Sequence, residues 1–133
     1  MFNNKIDKNI IDLLNLISSS RFNTYLVGGC VRDIILGYTP KDLDILVEDE
    51  IDEFAIFLST SLNSKVIKFQ NHGFETFRII NTKTKVNIDI TKYSNGNDGL
   101  LNDLSMRDFT INSMAISLNE GQFDFNDIVD PFR

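Results

Sequence analysis

Apolar residues recur every three or four positions near the start of the chain, a spacing that predicts an amphipathic helix over residues 5–19. The recurring residues are Ile6, Ile10, Leu13, Leu14 and Ile17. A short strand is predicted over residues 23–27, followed by two glycines and a second helix over residues 30–36 that Gly37 ends. The apolar face of the first helix needs a sheet to cover.

The middle of the chain continues this mixture of helix and strand. Residues 42–47 predict a strand and residues 51–62 predict a helix. We expect the apolar side of this helix to include Phe54, Ile56, Phe57 and Leu58. Further strands are predicted over three ranges, 65–69, 74–81 and 85–91, the last two forming an antiparallel hairpin around the polar residues 82–84.

The last third of the chain has a weaker pattern. Residues 93–98 predict a loop, residues 100–106 a helix, and residues 110–118 fit either a helix or a strand. The final residues, 130–133, add no predicted closing element. Since no repeat or linker interrupts the pattern, we predict a single α/β (α+β) domain over residues 1–133.

Composition narrows the class of protein. The chain is 42% hydrophobic and 24% charged, which is typical of a globular domain, and its pattern predicts neither a secretory signal nor a membrane-spanning helix. Its single cysteine, Cys30, excludes an internal disulfide and favours a cytoplasmic location. A net charge of −6 argues against a large phosphate-binding surface on this chain alone.

Two acids stand on the predicted strand at residues 42–47. Asp42 and Asp44 are two residues apart, so both side chains point to one face of the strand. Such crowded carboxylates suit a bound Mg²⁺, which prefers oxygen ligands, although a solvated acidic strand end has the same pattern.

A third acid, Asp89, stands on a strand where apolar residues alternate with polar ones. If Asp89 faces the first pair, three carboxylates could hold two Mg²⁺ ions for phosphoryl transfer, one activating a hydroxyl and one holding a triphosphate. The alternative is that Asp89 is an exposed strand residue.

A glycine turn precedes these acids. Gly28 and Gly29 allow the backbone to approach a ligand closely, and the following helix offers N–H groups to phosphate oxygens. Arg32 lies one turn into that helix, with Asp33 beside it, and could neutralise a phosphate. An ordinary strand-to-helix turn explains the same residues.

Taken together, these segments resemble the head domain of the tRNA nucleotidyltransferase (CCA-adding enzyme) and bacterial poly(A) polymerase family. The resemblance covers Leu-Val-Gly-Gly-Cys-Val-Arg-Asp at residues 26–33, Leu-Gly at 36–37 and Lys-Asp-Leu-Asp-Ile at 41–45. A second signature follows at residues 103–104 and 107–115, with an Asp-Pro stretch at 127–132. Two long signatures in the right order make a chance match very improbable.

The resemblance implies a polymerase β-like nucleotidyltransferase head, in which a small mixed sheet is flanked by helices. It implies that Asp42 and Asp44 bind Mg²⁺ and that Asp89 helps to activate an RNA 3′-hydroxyl. The residues it implies for the incoming triphosphate are Gly28, Gly29, Arg32 and Arg107. Asp108 would contact the ribose or orient Arg107.

The chain departs from the family pattern in two places. Met106 stands where the family has a first arginine, and residues 92–99 are shorter than the family's arginine-bearing loop. The helical neck, body and tail domains, which select CTP or ATP and clasp the tRNA, do not fit within 133 residues. We therefore expect a fragment, a truncated gene product, or a head that needs a helical partner in trans.

The resemblance thus predicts an enzyme that transfers CMP or AMP from CTP or ATP to an RNA 3′-end. The leading prediction is addition or repair of the 3′-CCA end of tRNA. Poly(A) addition, addition of C or A alone, and a catalytically silent nucleotide-binding or assembly module stay open as alternatives.

Other candidate residues have simpler interpretations. His72 lacks nearby metal-ligating partners in the sequence and is interpreted as a loop residue. Cys30 is interpreted as a packing residue beneath the glycine turn. The phenylalanines that could suggest base stacking have the spacing of core residues; they are Phe57, Phe69, Phe74 and Phe77.

Overall fold

The computed structural model describes residues 7–48, 50–71, 74–81, 83–92, 115–118 and 128–129. Within these ranges, the helices are α1 (Lys8–Ser18), α2 (Gly29–Ile35) and α3 (Ile51–Ser61). The strands are β1 (Thr24–Val27), β2 (Asp42–Val47), β3 (Lys65–Asn71), β4 (Phe74–Asn81), β5 (Val86–Lys92), β6 (Ala115–Ser117) and β7 (Ile128–Val129).

The described strands form one mixed sheet in the order β3-β4-β5-β2-β1-β6-β7. Strands β2 and β5 pair in parallel, and the other pairs are antiparallel. Because β2 and β5 lie at the centre of the sheet, each has a hydrogen-bonded neighbour on both sides. The predicted fold class, a mixed sheet with helices, is confirmed.

The main core lies between the helices and one face of the sheet. Buried residues of α1, α2 and α3 belong to the same hydrophobic cluster as Ile45 and Ile88, which alternate along β2 and β5 with polar residues. Since successive strand residues point to opposite faces, the polar residues of β2 and β5 lie on the face turned away from this core.

Capping residues that can be recognised in the sequence set the ends of two helices. Asp7 caps α1, where its side chain accepts a hydrogen bond from the Asn9 N–H at 2.7 Å. Gly37, with φ 86°, follows the C-terminus of α2, where a left-handed residue ends the helix without a Cβ clash. No helix in the described ranges has the length and apolar character that spanning a membrane requires.

One residue of α3 is placed wrongly by the sequence pattern. Ile56 was expected on the apolar side, but its side chain is 63% exposed, whereas Phe54 and Leu58 are fully buried. The reason is the helical period, because a residue two positions from both Phe54 and Leu58 is rotated about 200° away from them.

The hairpin between β4 and β5 differs from the prediction by one residue. Lys85 was predicted to begin the strand, but it has φ 61° and belongs to the turn, so β5 begins at Val86. The Asn81 side-chain oxygen accepts hydrogen bonds from the N–H groups of Lys83 and Thr84, which stabilises this longer turn.

The tail of the chain contains two short described strands. Residues 115–117, predicted as helix or strand, form β6, which pairs with β1. Strand β7 was not predicted, because two residues carry no periodic signal. The predicted loop at 93–98 and helix at 100–106 lie outside the described residues.

A matched pair of substitutions on α3 tests this packing. We expect Leu58→Ala to lower the free energy of unfolding by about 2–5 kcal/mol, because it leaves a cavity in the core. Ile56→Ala, on the exposed side of the same helix, is expected to change it by less than about 0.5 kcal/mol. Chemical denaturation monitored by circular dichroism measures both. Equal losses would contradict the assigned orientation of α3.

Candidate metal and nucleotide site

Three predicted acids lie on the second face of the sheet. Asp42 and Asp44 are on β2, and Asp44 is the direct Cα partner of Asp89 on the parallel strand β5. Residues paired in this way on adjacent strands share a face and lie about 5 Å apart. The structure therefore brings the three carboxylates onto one face. Their exposure falls across the group: Asp42 is exposed, Asp44 half-buried and Asp89 buried.

Asp89 is held by an arginine of the neighbouring strand. Arg78 on β4 is the Cα partner of Asp89, and its Nε and NH2 groups donate to Asp89 Oδ1 and Oδ2 at 2.7 and 3.0 Å. This hydrogen bond raises the pKa of Arg78, burial opposes the rise, and the negative charges of the three carboxylates add to it. The guanidinium therefore stays charged, and the alternative of Asp89 as an exposed strand residue is wrong.

Arg78 was not among the predicted site residues, although the sequence contains a signal for it. Arg78 is a lone charge between the apolar residues Phe77 and Ile79 in the middle of a strand, which indicates a partner on the polar face. The predicted turn was one residue too short and would have paired Arg78 with Ile88 instead. In the structure, Lys85 has a positive φ and belongs to the turn, so the strands pair one residue further along and Arg78 lies opposite Asp89.

The oxygen-only donor set of Asp42, Asp44 and Asp89 fits Mg²⁺ chemically. Even so, across the parts of the chain that the structure describes, no three His, Cys, Asp or Glu side chains are arranged to hold a metal ion together. Both carboxylate oxygens of Asp89 accept hydrogen bonds from Arg78. Asp42 and Asp44 are more exposed to solvent than Asp89.

The predicted glycine turn lies beside this group. Strand β1 ends at Val27, the Cα partner of Asp44, and Gly28 follows with φ 82° and ψ −156°. A side chain would be sterically strained in this conformation, so the turn requires glycine. Gly29 then begins α2 with a negative φ. The turn brings the start of α2 next to Asp44.

Arg32 and Asp33 form an ion pair on α2. The Nε and NH2 groups of Arg32 donate to the same oxygen, Asp33 Oδ1, at 3.1 and 2.9 Å. Both side chains are partly exposed, at 36% and 29%. Asp33 therefore holds the guanidinium at the helix surface, within the element that starts beside Asp44.

Cys30 packs beneath the turn, as predicted. Its side chain is buried in the main core, and its Sγ donates to the Val27 carbonyl oxygen at 3.0 Å. Burial, and then the nearby charge of Asp44, raise the pKa of the Cys30 thiol from 9.0 to about 12. The thiol is thus kept protonated and unreactive.

The phenylalanines that were considered for base stacking differ in their surroundings. Phe77 is buried in the core and Phe57 packs against it, as expected. Phe69 instead lies under Arg78, whose guanidinium carbon is 5.2 Å from the ring centroid. The predicted residues Arg107 and Asp108, together with His72, Met106 and the side chain of Phe74, lie outside the described part of the chain.

Comparison with known proteins adds an independent finding. The Poly A polymerase head domain family matches residues 24–133. The chain belongs to this family. The head domain so defined includes β1, the glycine turn and all three carboxylates.

Relatives and solved structures agree with this assignment. A CC-adding tRNA nucleotidyltransferase of Halalkalibacterium halodurans is 33% identical over 89% of this chain and 28% of its own length. A CCA-adding enzyme of Francisella tularensis is 34% identical over 82% of this chain and 30% of its own length. The Thermotoga maritima CCA-adding enzyme in complex with tRNA superposes with a TM-score of 0.77 at 32% identity, covering 97% of this chain and 30% of that one.

These relatives are longer proteins than this chain. This chain spans less than a third of the length of these relatives. The relatives also differ in their named activities, which include CC-adding, CCA-adding and A-adding enzymes.

The conformation of Gly28 predicts a large cost for a side chain there. Gly28→Ala is expected to lower the free energy of unfolding by about 1–3 kcal/mol, because alanine disfavours φ 82° with ψ −156°. Gly29→Ala is the matched control and should be neutral or slightly stabilising, since Gly29 begins a helix. Thermal denaturation compares the two. A larger loss for Gly29→Ala than for Gly28→Ala would show that the turn is wrongly placed.

The shifted thiol predicts a pH dependence of stability. The pKa of Cys30 is raised in the folded protein. The contribution of its protonated thiol to the free energy of unfolding is therefore complete below pH 9 and is lost as pH rises from about 9 towards 12. Denaturation at pH 8 and pH 10.5 should show a loss of about 2 kcal/mol in the wild type that Cys30→Ala lacks. The same pH dependence in both proteins would assign the loss to other groups.

Proposed function

We propose that this chain is the catalytic head of a template-independent nucleotidyltransferase that transfers CMP or AMP from CTP or ATP to an RNA 3′-end, with tRNA as the acceptor. The observation that carries the proposal is the pairing of Asp44 with Asp89 on adjacent parallel strands, with Asp42 on the same face. Membership of the Poly A polymerase head domain family supports it.

In this proposal Asp42 and Asp44 hold Mg²⁺, and Asp89 is the third carboxylate. When bound, Mg²⁺ would neutralise triphosphate charge and make the acceptor hydroxyl more acidic. The Asp89 carboxylate assists in removing the proton of the RNA 3′-hydroxyl. That oxygen then forms a bond to the α-phosphorus, the bond to the β-phosphate oxygen breaks, and pyrophosphate leaves.

The nucleotide is proposed to lie over the glycine turn. Gly28 and Gly29 let the backbone approach the triphosphate, and Arg32 offers a guanidinium from the first turns of α2. The ion pair with Asp33 supports this role, because it limits the rotamers of Arg32 before a ligand arrives. Arg107 and Asp108 complete the proposed contacts on the basis of the sequence signature alone.

The acceptor and the rest of the protein are part of the same proposal. Solved relatives include CCA-adding enzymes in complex with tRNA, with CTP and with ATP. The net charge of −6 disfavours binding of RNA phosphates by this chain alone. A helical domain or subunit, in cis or in trans, would therefore bind the RNA. Addition of CCA, of C or A alone, or of poly(A) would use the same head chemistry.

Labelled nucleotide transfer tests the proposal. The chain is incubated with Mg²⁺, tRNA lacking its terminal CCA and either labelled CTP or labelled ATP, with and without a helical domain from a relative. We expect incorporation that chelation of Mg²⁺ abolishes and that Asp44→Asn lowers at least about 100-fold, because a metal ligand is lost. Asp52→Asn removes an exposed carboxylate of α3 and should retain full activity.

Two results would count against this function. Incorporation that survives Asp44→Asn at the wild-type rate would exclude the proposed carboxylate site. Binding of CTP or ATP without incorporation under either condition would favour a silent nucleotide-binding module instead.

A further inference from the structure

The Arg78–Asp89 pair is built into the sheet next to the proposed metal site. Both residues lie in the middle of paired strands, and the fork of Arg78 meets both carboxylate oxygens at 2.7 and 3.0 Å. The Asp89 side chain is 11% exposed and the Arg78 side chain 40% exposed. Such a two-point contact fixes both the position and the rotation of the carboxylate.

The contact leaves Asp89 with a restricted capacity for other partners. A carboxylate has about four lone-pair sites, and two of them accept the hydrogen bonds from Arg78. The remaining sites suffice for one further contact per oxygen, such as a hydroxyl proton or a cation on one side. The Asp89 carboxylate therefore cannot rotate freely, and it is held on the strand position whose Cα is in register with Asp44.

Arg78 is itself held in place. Its guanidinium lies over the Phe69 ring, and the aromatic face leaves the planar fork directed along the sheet towards Asp89. A lysine would keep the charge but lose the two-point geometry. The charge and the fork of Arg78 can therefore be separated experimentally.

We propose that Arg78 is a positioning residue that fixes the Asp89 carboxylate beside Asp44 and whose positive charge limits the affinity of this acidic face for divalent cations. The inference rests on the proposed function, since it concerns the same metal site. Without Arg78, the three carboxylates would lose the positive charge that β4 places beside them. A site that binds its cation too tightly would also release its product slowly.

A purely structural ion pair is the competing interpretation, and it makes a different prediction. If Arg78 served only to pair two strands, its removal would lower thermal stability and leave the cation affinity of the folded protein unchanged. Cation affinity is therefore the decisive measurement, because it does not depend on activity.

Manganese binding tests the inference. Free Mn²⁺ is measured by electron paramagnetic resonance during titration of the wild type and of four variants, each first shown to melt cooperatively. The variants are Arg78→Gln, Arg78→Lys, Arg21→Gln and Asp44→Asn. We expect Arg78→Gln to bind Mn²⁺ about fivefold more tightly, because a nearby positive charge is removed. Arg21→Gln is the matched control. Arg21 lies three residues before β1, and its positive charge is in an exposed ion pair with Glu50. The Mn²⁺ affinity of this variant should match that of the wild type.

Arg78→Lys tests the fork separately from the charge. Its Mn²⁺ affinity should stay within about twofold of the wild type, because the charge is kept. Its transfer rate at saturating nucleotide should fall by at least about tenfold without a matching change in KM, because Asp89 is no longer oriented. A wild-type rate in Arg78→Lys would overturn the positioning role, and this holds even if Arg78→Gln does not fold.

The outcomes distinguish the inference from the function on which it rests. If the wild type and Asp44→Asn bind Mn²⁺ equally, the proposed metal site itself is wrong. If Asp44→Asn loses binding but Arg78→Gln binds like the wild type or more weakly, the metal site stands and the role of Arg78 is overturned.

Discussion

The parallel pairing of β2 with β5 is the constraint on which the site depends. It places Asp44 directly beside Asp89 at the centre of the sheet, where neither strand can turn its side chains away without losing hydrogen bonds to two neighbours. Like charges at this separation repel, so the arrangement carries an energetic cost that a nearby opposite charge offsets. Arg78 supplies such a charge from the next strand.

The same strands build the core and the site. Along β2, Leu43, Ile45 and Val47 enter the main core, while Asp42 and Asp44 alternate with them on the other face. A register slip of one residue would bury carboxylates and expose the core, which couples the stability of the fold to the correct assembly of the site. The second face is not wholly polar, since Val27, Leu46 and Ala115 form a small buried cluster beside the acids.

Much of this arrangement could be predicted from the sequence because the governing signals are local. Strand β2 has the predicted bounds, the glycine turn requires the glycine found there, and the alternation around Asp89 assigns its face correctly. Ile56 was misplaced because hydrophobicity was counted without its rotation around the helix. Arg78 was missed because its partner depends on a hairpin register that one residue, Lys85, shifts through a positive φ. Contacts across strands are not local, and periodicity cannot specify them.

The order of strands also has a consequence for folding. Strands β4 and β5 are neighbours in the sequence, so the Arg78–Asp89 contact closes a short loop and can form early. The contact between β2 and β5 must enclose α3, β3 and β4, and its loop-closure entropy is larger. Loop closure therefore favours pairing of Asp89 with Arg78 ahead of its pairing with Asp44, so that the charge of Asp89 is balanced within the hairpin itself.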